Sequence, residues 1–340
     1  MPDPGQEFPA DADELRASAL LDEWWYYSVE LLPWVIAEGA YPASVPMLPR
    51  LLLRRCGLKG MECLDLGTME GLAPALMARR GAARVVAVDG SDHCLEKLAA
   101  VKHYYGVSFE YRTVGPMYSL SEKLDGDGFD LINCSGLLYH VFSPLMVVAG
   151  LRAALKRGGL MIVSTNVFVD RGFSAKFNAA GRLQEEPNTF WYLSTGLLDY
   201  MLRYLRLAPI DCLYVPHDAL ETPWRMKTGT ESGYASVLCR AVDRELPSSG
   251  DAWMAESAKG SWEYEWIPDW DRARSQPLSK IGAERSDAHS RKDLGFTWQQ
   301  RLSRTTPRVL DITSAIEEQQ PILQAETPSD SHLLSLADVS

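Results

Sequence analysis

The sequence predicts an α/β protein: a doubly wound, mostly parallel sheet with an N-terminal helical cap and a C-terminal extension. Three observations predict it. Short apolar runs (MECLDL at 61–66, RVVAV at 84–88, FDLIN at 129–133, LMIVST at 160–165) alternate with helix-like stretches, and such alternation builds parallel sheets. Gly67 stands where the first of these strands runs into a helix, and Gly81 and Gly158-Gly159 stop two helices. The 340 residues, 46% of them apolar, supply ample material for a core.

In chain order, residues 13–32 carry apolar positions at helical spacing and stop at Pro33, and 43–57 form a second amphipathic stretch. Residues 1–57 are therefore expected to be a helical cap. The sheet domain spans 58–243. Within it, GLAPALMARR predicts a helix, RVVAV a buried strand, 92–104 a helix, 107–113 and 129–133 strands, and the stretch from Pro144 a helix ending at Gly158. A polar connection at 167–190 precedes a helix at 195–206 and strands at 210–215 and 234–242. Five of the ten tryptophans fall in 244–300; disordered tails are poor in aromatics, so this extension is expected to dock. Residues 301–340 contain no aromatic residue and are expected to be peripheral or mobile.

The net charge of −11 speaks against a phosphate-backbone binder, which relies on Lys and Arg. No apolar run approaches the ~20 residues of a membrane span. The acidic N-terminus lacks a signal-peptide core. Six scattered cysteines without a C-x-x-C pair read as reduced, buried thiols of a cytoplasmic protein. No metal-binding motif is present.

The informative segment is Leu64-Asp65-Leu66-Gly67-Thr68-Met69-Glu70-Gly71. Glycine at a strand-to-helix turn allows a ligand to approach the backbone. Asp65 and Glu70 flank this turn and no basic residue lies in it. A cationic amino-acid group, as on S-adenosylmethionine, suits that arrangement better than phosphates. Asp89, followed by Gly90, closes the second strand 22 positions after Gly67, near the ~20 expected of an acid that accepts from ribose hydroxyls. Asp65, Gly67, Thr68, Glu70, Gly71, Asp89, Gly90 and Ser135 are thus the candidate cofactor residues. Asn133 through His140 follow the FDLIN strand, and ligands in open α/β sheets sit beyond such strand ends. Tyr139 and His140 are the candidate catalytic residues; a structural reading gives His140 a helix-start hydrogen bond and Tyr139 a packing role.

These motifs carry a resemblance. Residues 61–165, with CLDLGTMEG and VVAVDGS as first and second motifs, resemble a class I S-adenosylmethionine-dependent methyltransferase domain with its Rossmann-like sheet. GLLYHVFSPL, NTFWYLSTGLLDYMLRYL and ASVLCRA resemble the branch of the tRNA wobble-uridine carboxymethyltransferase, which uses carboxy-S-adenosylmethionine, over roughly residues 24–243. The sequence departs from both patterns. Met69 replaces the usual middle glycine of the first motif. On LPWVIAEG no lysine matches the one that binds the extra carboxylate, and Tyr234 stands at the position of the matching arginine. The resemblance therefore implies ordinary S-adenosylmethionine as cofactor.

Around the acceptor, Trp25 and Tyr26 of the Trp24-Trp25-Tyr26-Tyr27 cluster, Trp191 of the 167–194 connection and Arg225 before the last strand are the candidate substrate residues; core packing and a solvated loop charge are the competing readings. Three function classes stay open. A methyltransferase acting on a small-molecule O, N or S acceptor comes first. S-methylation of a methylthio acid such as 4-methylthio-2-hydroxybutyrate, as in bacterial dimethylsulfoniopropionate synthesis, is one case, suggested by the aromatic cluster and the long tail. A tRNA wobble-uridine enzyme and a nucleotide-binding oxidoreductase are the alternatives. Expected partners are a small acceptor, no membrane and no nucleic acid, with a homo-oligomer left open.

Overall fold

A computed structural model describes residues 7–41, 44–117, 120–124, 128–186, 188–217, 230–242 and 309–318. The N-terminal segment does not form the long helix that its spacing predicts. Helix α1 covers only Ala12–Arg16, and the Asp11 carboxylate caps it by accepting from the Asp13 and Glu14 amides. Four short strands follow: β1 (Trp25–Tyr27), β2 (Val29–Leu32), β3 (Val35–Ala37) and β4 (Gly39–Tyr41). β1 pairs in parallel with β4, and β2 and β3 form an antiparallel hairpin. β2 buries Val29 and Leu31, alternate residues, the period of a strand. Aromatic and β-branched side chains fit a pleated, half-buried surface, and here they override the helical spacing. Helix α2 (Ser44–Arg55) completes a cap that is mixed, not helical.

The alternating segment then folds as its pattern predicts, into β5 (Glu62–Leu66), α3 (Leu72–Arg79), β6 (Arg84–Asp89), α4 (Leu95–Tyr105), β7 (Glu110–Thr113), α5 (Leu120–Lys123), β8 (Phe129–Ser135), α6 (Pro144–Ala154) and β9 (Leu155–Phe168). α6 stops earlier than expected, because β9 already begins at Leu155. The polar connection contains β10 (Ala175–Phe177) and β11 (Trp191–Ser194), and α7 (Thr195–Tyr204), β12 (Leu207–Pro216) and β13 (Ser232–Ala241) follow.

The sheet runs β7-β6-β5-β8-β9-β13-β12. The pairs among β7, β6, β5, β8 and β9 are parallel, and β13 lies antiparallel between β9 and β12. Strand order reverses at β5, since β6 lies on one side of it and β8 on the other. Crevices at such a reversal are where open α/β sheets bind ligands. β13 occupies one edge of β9 along residues 160–168. β11 pairs with Val167 and Phe168 of the same strand, so it must take the other edge, just past the end of β8. This places the 178–190 connection over the loop that leaves β8.

The C-terminal tail is not wholly peripheral. Residues 312–318 are helical, and Ile312 and Ile316 are buried in the main core. Arg203 donates to the Leu310 carbonyl, the Leu310 amide to Pro209, and Arg171 pairs with Asp311 and Glu317. The Trp-rich stretch 244–300 lies outside the described residues. The six cysteines are free and buried. Among the described residues no helix is long and apolar enough to cross a membrane.

Candidate active site

A cavity of about 590 Å³ opens at the carboxyl ends of β5, β6 and β8, within the roughly 300–1,000 Å³ of small-molecule sites. Its floor is the turn after β5. Gly67 has φ +73°, and a side chain there would meet nothing nearer than 3.8 Å, so the backbone is open to a ligand. Met69 also sits in the left-handed region, at φ 45°. It thus adopts the conformation for which glycine is ordinary, at a cost of about 1–2 kcal/mol. The turn is tied to the second strand: the Met69 amide donates to Asp89 Oδ2 at 3.2 Å, and the Gly90 amide to Oδ1 at 2.6 Å.

Two carboxylates face the cavity from this turn. Asp65 is 2% exposed and accepts from Asn133 Nδ2 at 2.7 Å; burial pushes its pKa up to about 6 against that hydrogen bond. Glu70 is 1% exposed, and burial raises its pKa as well. Its Oε1 accepts from the Tyr26 amide at 2.5 Å, which fastens β1 over the turn. Its Oε2 is buried without a hydrogen-bond partner. A buried carboxylate oxygen left unpaired is costly, and a cationic group entering the cavity would relieve it.

The opposite wall comes from the loop after β8. Gly136 has φ +73°, and a methyl built on it would lie 3.5 Å from Tyr139 Oη and 3.7 Å from Tyr234 Oη. Tyr27 and Tyr139 have their phenol pKa raised well above the ordinary value, chiefly by burial and then by neighbouring phenols; burial likewise raises Tyr234. These phenols stay protonated and act as donors, not bases. The carbonyl of Asn188 lies 2.9 Å from His140 Nδ1. A carbonyl only accepts, so Nδ1 carries the hydrogen and Nε2 is the basic nitrogen. The Phe190 amide donates to the Tyr139 carbonyl at 2.7 Å, and Glu186 enters the lining from the same connection.

Asp65, Gly67, Thr68, Glu70, Asp89, Ser135, Tyr139, His140 and Tyr26 thus line one cavity. Other expected residues do not. Trp25 is fully buried in the core, its indole donating to the Leu20 carbonyl, because β1 turns alternate side chains inward. Trp191 donates to the Phe142 carbonyl and stays outside the lining. Gly71 serves packing: a side chain there would lie 2.5 Å from Leu98 and 3.0 Å from Phe109. Gly90 lies outside the lining as well, its amide turned to its neighbour Asp89. Arg225 falls outside the described residues. Arg50, Glu186 and the cavity-facing role of Tyr234 carried no local sequence signal.

A family model described as a methyltransferase domain matches residues 44–203. Over these residues, somewhat less than half of the chain, the sequence is similar to methyltransferase domains. The chain is 30% identical over 164 residues to the tRNA U34 carboxymethyltransferase of Pseudomonas aeruginosa, covering 48% of this chain and 50% of that one. It is 29% identical over 154 residues to the ubiquinone biosynthesis O-methyltransferase of the same organism, covering 45% of this chain and 62% of that one. The chain therefore spans about half the length of the first relative. The crystal structure of the N-terminal domain of EvdMO1 with S-adenosylhomocysteine bound superposes with a TM-score of 0.46 at 18% identity, covering 67% of this chain and 96% of that domain.

Proposed function

We propose that the protein transfers the methyl group of S-adenosylmethionine to a small-molecule acceptor held in this cavity. The observation that carries the reading is the convergence of the open Gly67 turn, the Asp89 carboxylate and the His140 wall on one cavity. The residues present suit the cofactor. Asp89 would accept from the ribose hydroxyls. Asp65 and the unpaired Oε2 of Glu70 would receive the amino-acid ammonium. When bound, the cofactor supplies an electrophilic methyl carbon on a sulfonium sulfur.

The chain's own residues then have defined work. The walls hold the acceptor beside the methyl, and such proximity supplies much of the acceleration. Tyr26, fastened to Glu70, helps close the mouth. His140 Nε2 can take a proton from a hydroxyl or ammonium acceptor, because Asn188 fixes its tautomer. Tyr139 and Tyr234 donate hydrogen bonds. The relative that acts on tRNA does not transfer its substrate easily. The net charge is −11, and Tyr234, which replaces the cofactor-carboxylate arginine, is buried in the wall.

Calorimetry with S-adenosylmethionine tests the reading. Asp89→Ala is expected to weaken binding by about 1.5–3 kcal/mol, the worth of hydrogen bonds to a charged group. If the wild-type protein takes up no cofactor at millimolar concentration, the proposal fails.

A further inference from the structure

The described lining carries more acidic than basic side chains, with acids on both sides. Asp65, Glu70, Asp89 and Glu186 face it against one guanidinium, that of Arg50, among the described lining residues. With histidines neutral the formal balance of these described residues is −3. The cofactor itself carries a sulfonium, an ammonium and a carboxylate, a net +1, so the described lining would still carry excess negative charge around it. That excess is not all at the cofactor turn. Asp65, Glu70 and Asp89 belong to β5, β6 and the turn between β5 and α3. Glu186 sits on the far wall with Tyr139 and Tyr234. Its Oε2 accepts from Gln184 Nε2 at 2.7 Å and Thr189 Oγ1 at 2.9 Å, so the carboxylate is fixed. It lines the same cavity as Tyr139 and Tyr234. Aromatic faces attract cations, and the Tyr139 and Tyr234 oxygens converge over Gly136, 3.5 and 3.7 Å from where a Cβ would stand.

We infer that this far wall is a subsite for a positively charged product, so that the acceptor is a neutral thioether or tertiary amine methylated to a sulfonium or quaternary ammonium. The inference rests on the methyl-transfer reading and names its substrate class. The balance is simple. A lone pair on the acceptor sulfur or nitrogen forms the new bond to the methyl carbon. The bond between that carbon and the cofactor sulfur breaks, and its electron pair stays on the cofactor sulfur. The positive charge passes from cofactor to acceptor; with a thioether no proton is released and no base is consumed, whereas a tertiary amine first gives up to solvent the proton it carries at neutral pH. With a phenol acceptor the charge would leave the cavity as a proton, and a fixed carboxylate among phenols would gain nothing. On this reading His140 positions the acceptor.

The test uses the full chain saturated with S-adenosylhomocysteine and titrated by calorimetry with three probes of similar shape. These are choline, (2-hydroxyethyl)dimethylsulfonium and the uncharged carbon isostere 3,3-dimethylbutan-1-ol. At least one onium probe is expected to bind tenfold or more tighter than the isostere, and the tighter of the two assigns nitrogen or sulfur as the acceptor atom. Glu186→Gln should shrink that preference severalfold while leaving S-adenosylhomocysteine affinity within twofold. Equal affinity for all three probes overturns the inference and leaves the methyltransferase reading standing. Failure of S-adenosylhomocysteine to bind overturns both. An onium preference untouched by Glu186→Gln and by Tyr139→Phe places the cation elsewhere and also overturns it.

Discussion

Replacing Asp65 by Asn should stabilise the protein at neutral pH and not in acid. The Asp65 pKa rises from 3.8 to about 6 on folding because the carboxyl is buried under the cavity floor. Such a group binds its proton more tightly in the folded chain than in the unfolded one. Its contribution therefore favours folding in acid, below about pH 4, and is lost as the pH climbs to about 6. The change in ionisation constant is roughly a hundredfold, or about 3 kcal/mol of stability forgone at pH 7.5. Asparagine keeps an oxygen to accept from Asn133 Nδ2 and carries no charge to desolvate. Urea unfolding should show Asp65→Asn more stable than wild type by about 3 kcal/mol at pH 7.5, shrinking to about 1 kcal/mol at pH 4.5. The same difference at both pH values would refute the reasoning, since Asp65 would then titrate alike in both states. The stability gained removes a charge reserved for a cationic ligand, the usual exchange at functional sites.

Two further predictions concern the frame. Asp211 and Arg55 form a 2.8 Å ion pair, 0% and 3% exposed, which joins α2 to β12. Asp211→Ala removes the carboxylate that pairs this buried guanidinium and should cost about 3–5 kcal/mol, while the paired change Arg55→Met with Asp211→Leu should recover most of it; denaturant midpoints decide. Ile312 is fully buried, so Ile312→Ala should cost about 2–5 kcal/mol. An unchanged midpoint would show that the 309–318 segment does not dock.

The alternation of apolar runs with helical stretches settled the central sheet, because strand and helix periods are written in local sequence. The Gly67 turn and Asp89 were legible for the same reason: a turn and a strand end are local events at a fixed spacing. The N-terminal strands were not, since the spacing over 13–32 suits a helix and only the tertiary surface, with Glu70 holding the Tyr26 amide, makes β1 the better choice. Trp25 and Tyr26 are neighbours in sequence, yet strand alternation sends one into the core and the other to the cavity. Tyr234 and Glu186 reach the site only because β13 inserts antiparallel beside β9 and β11 crosses the end of β8. Pairing partners and register depend on contacts between residues dozens of positions apart. A single sequence encodes the period of each element, and the packing of the whole chain decides which elements meet.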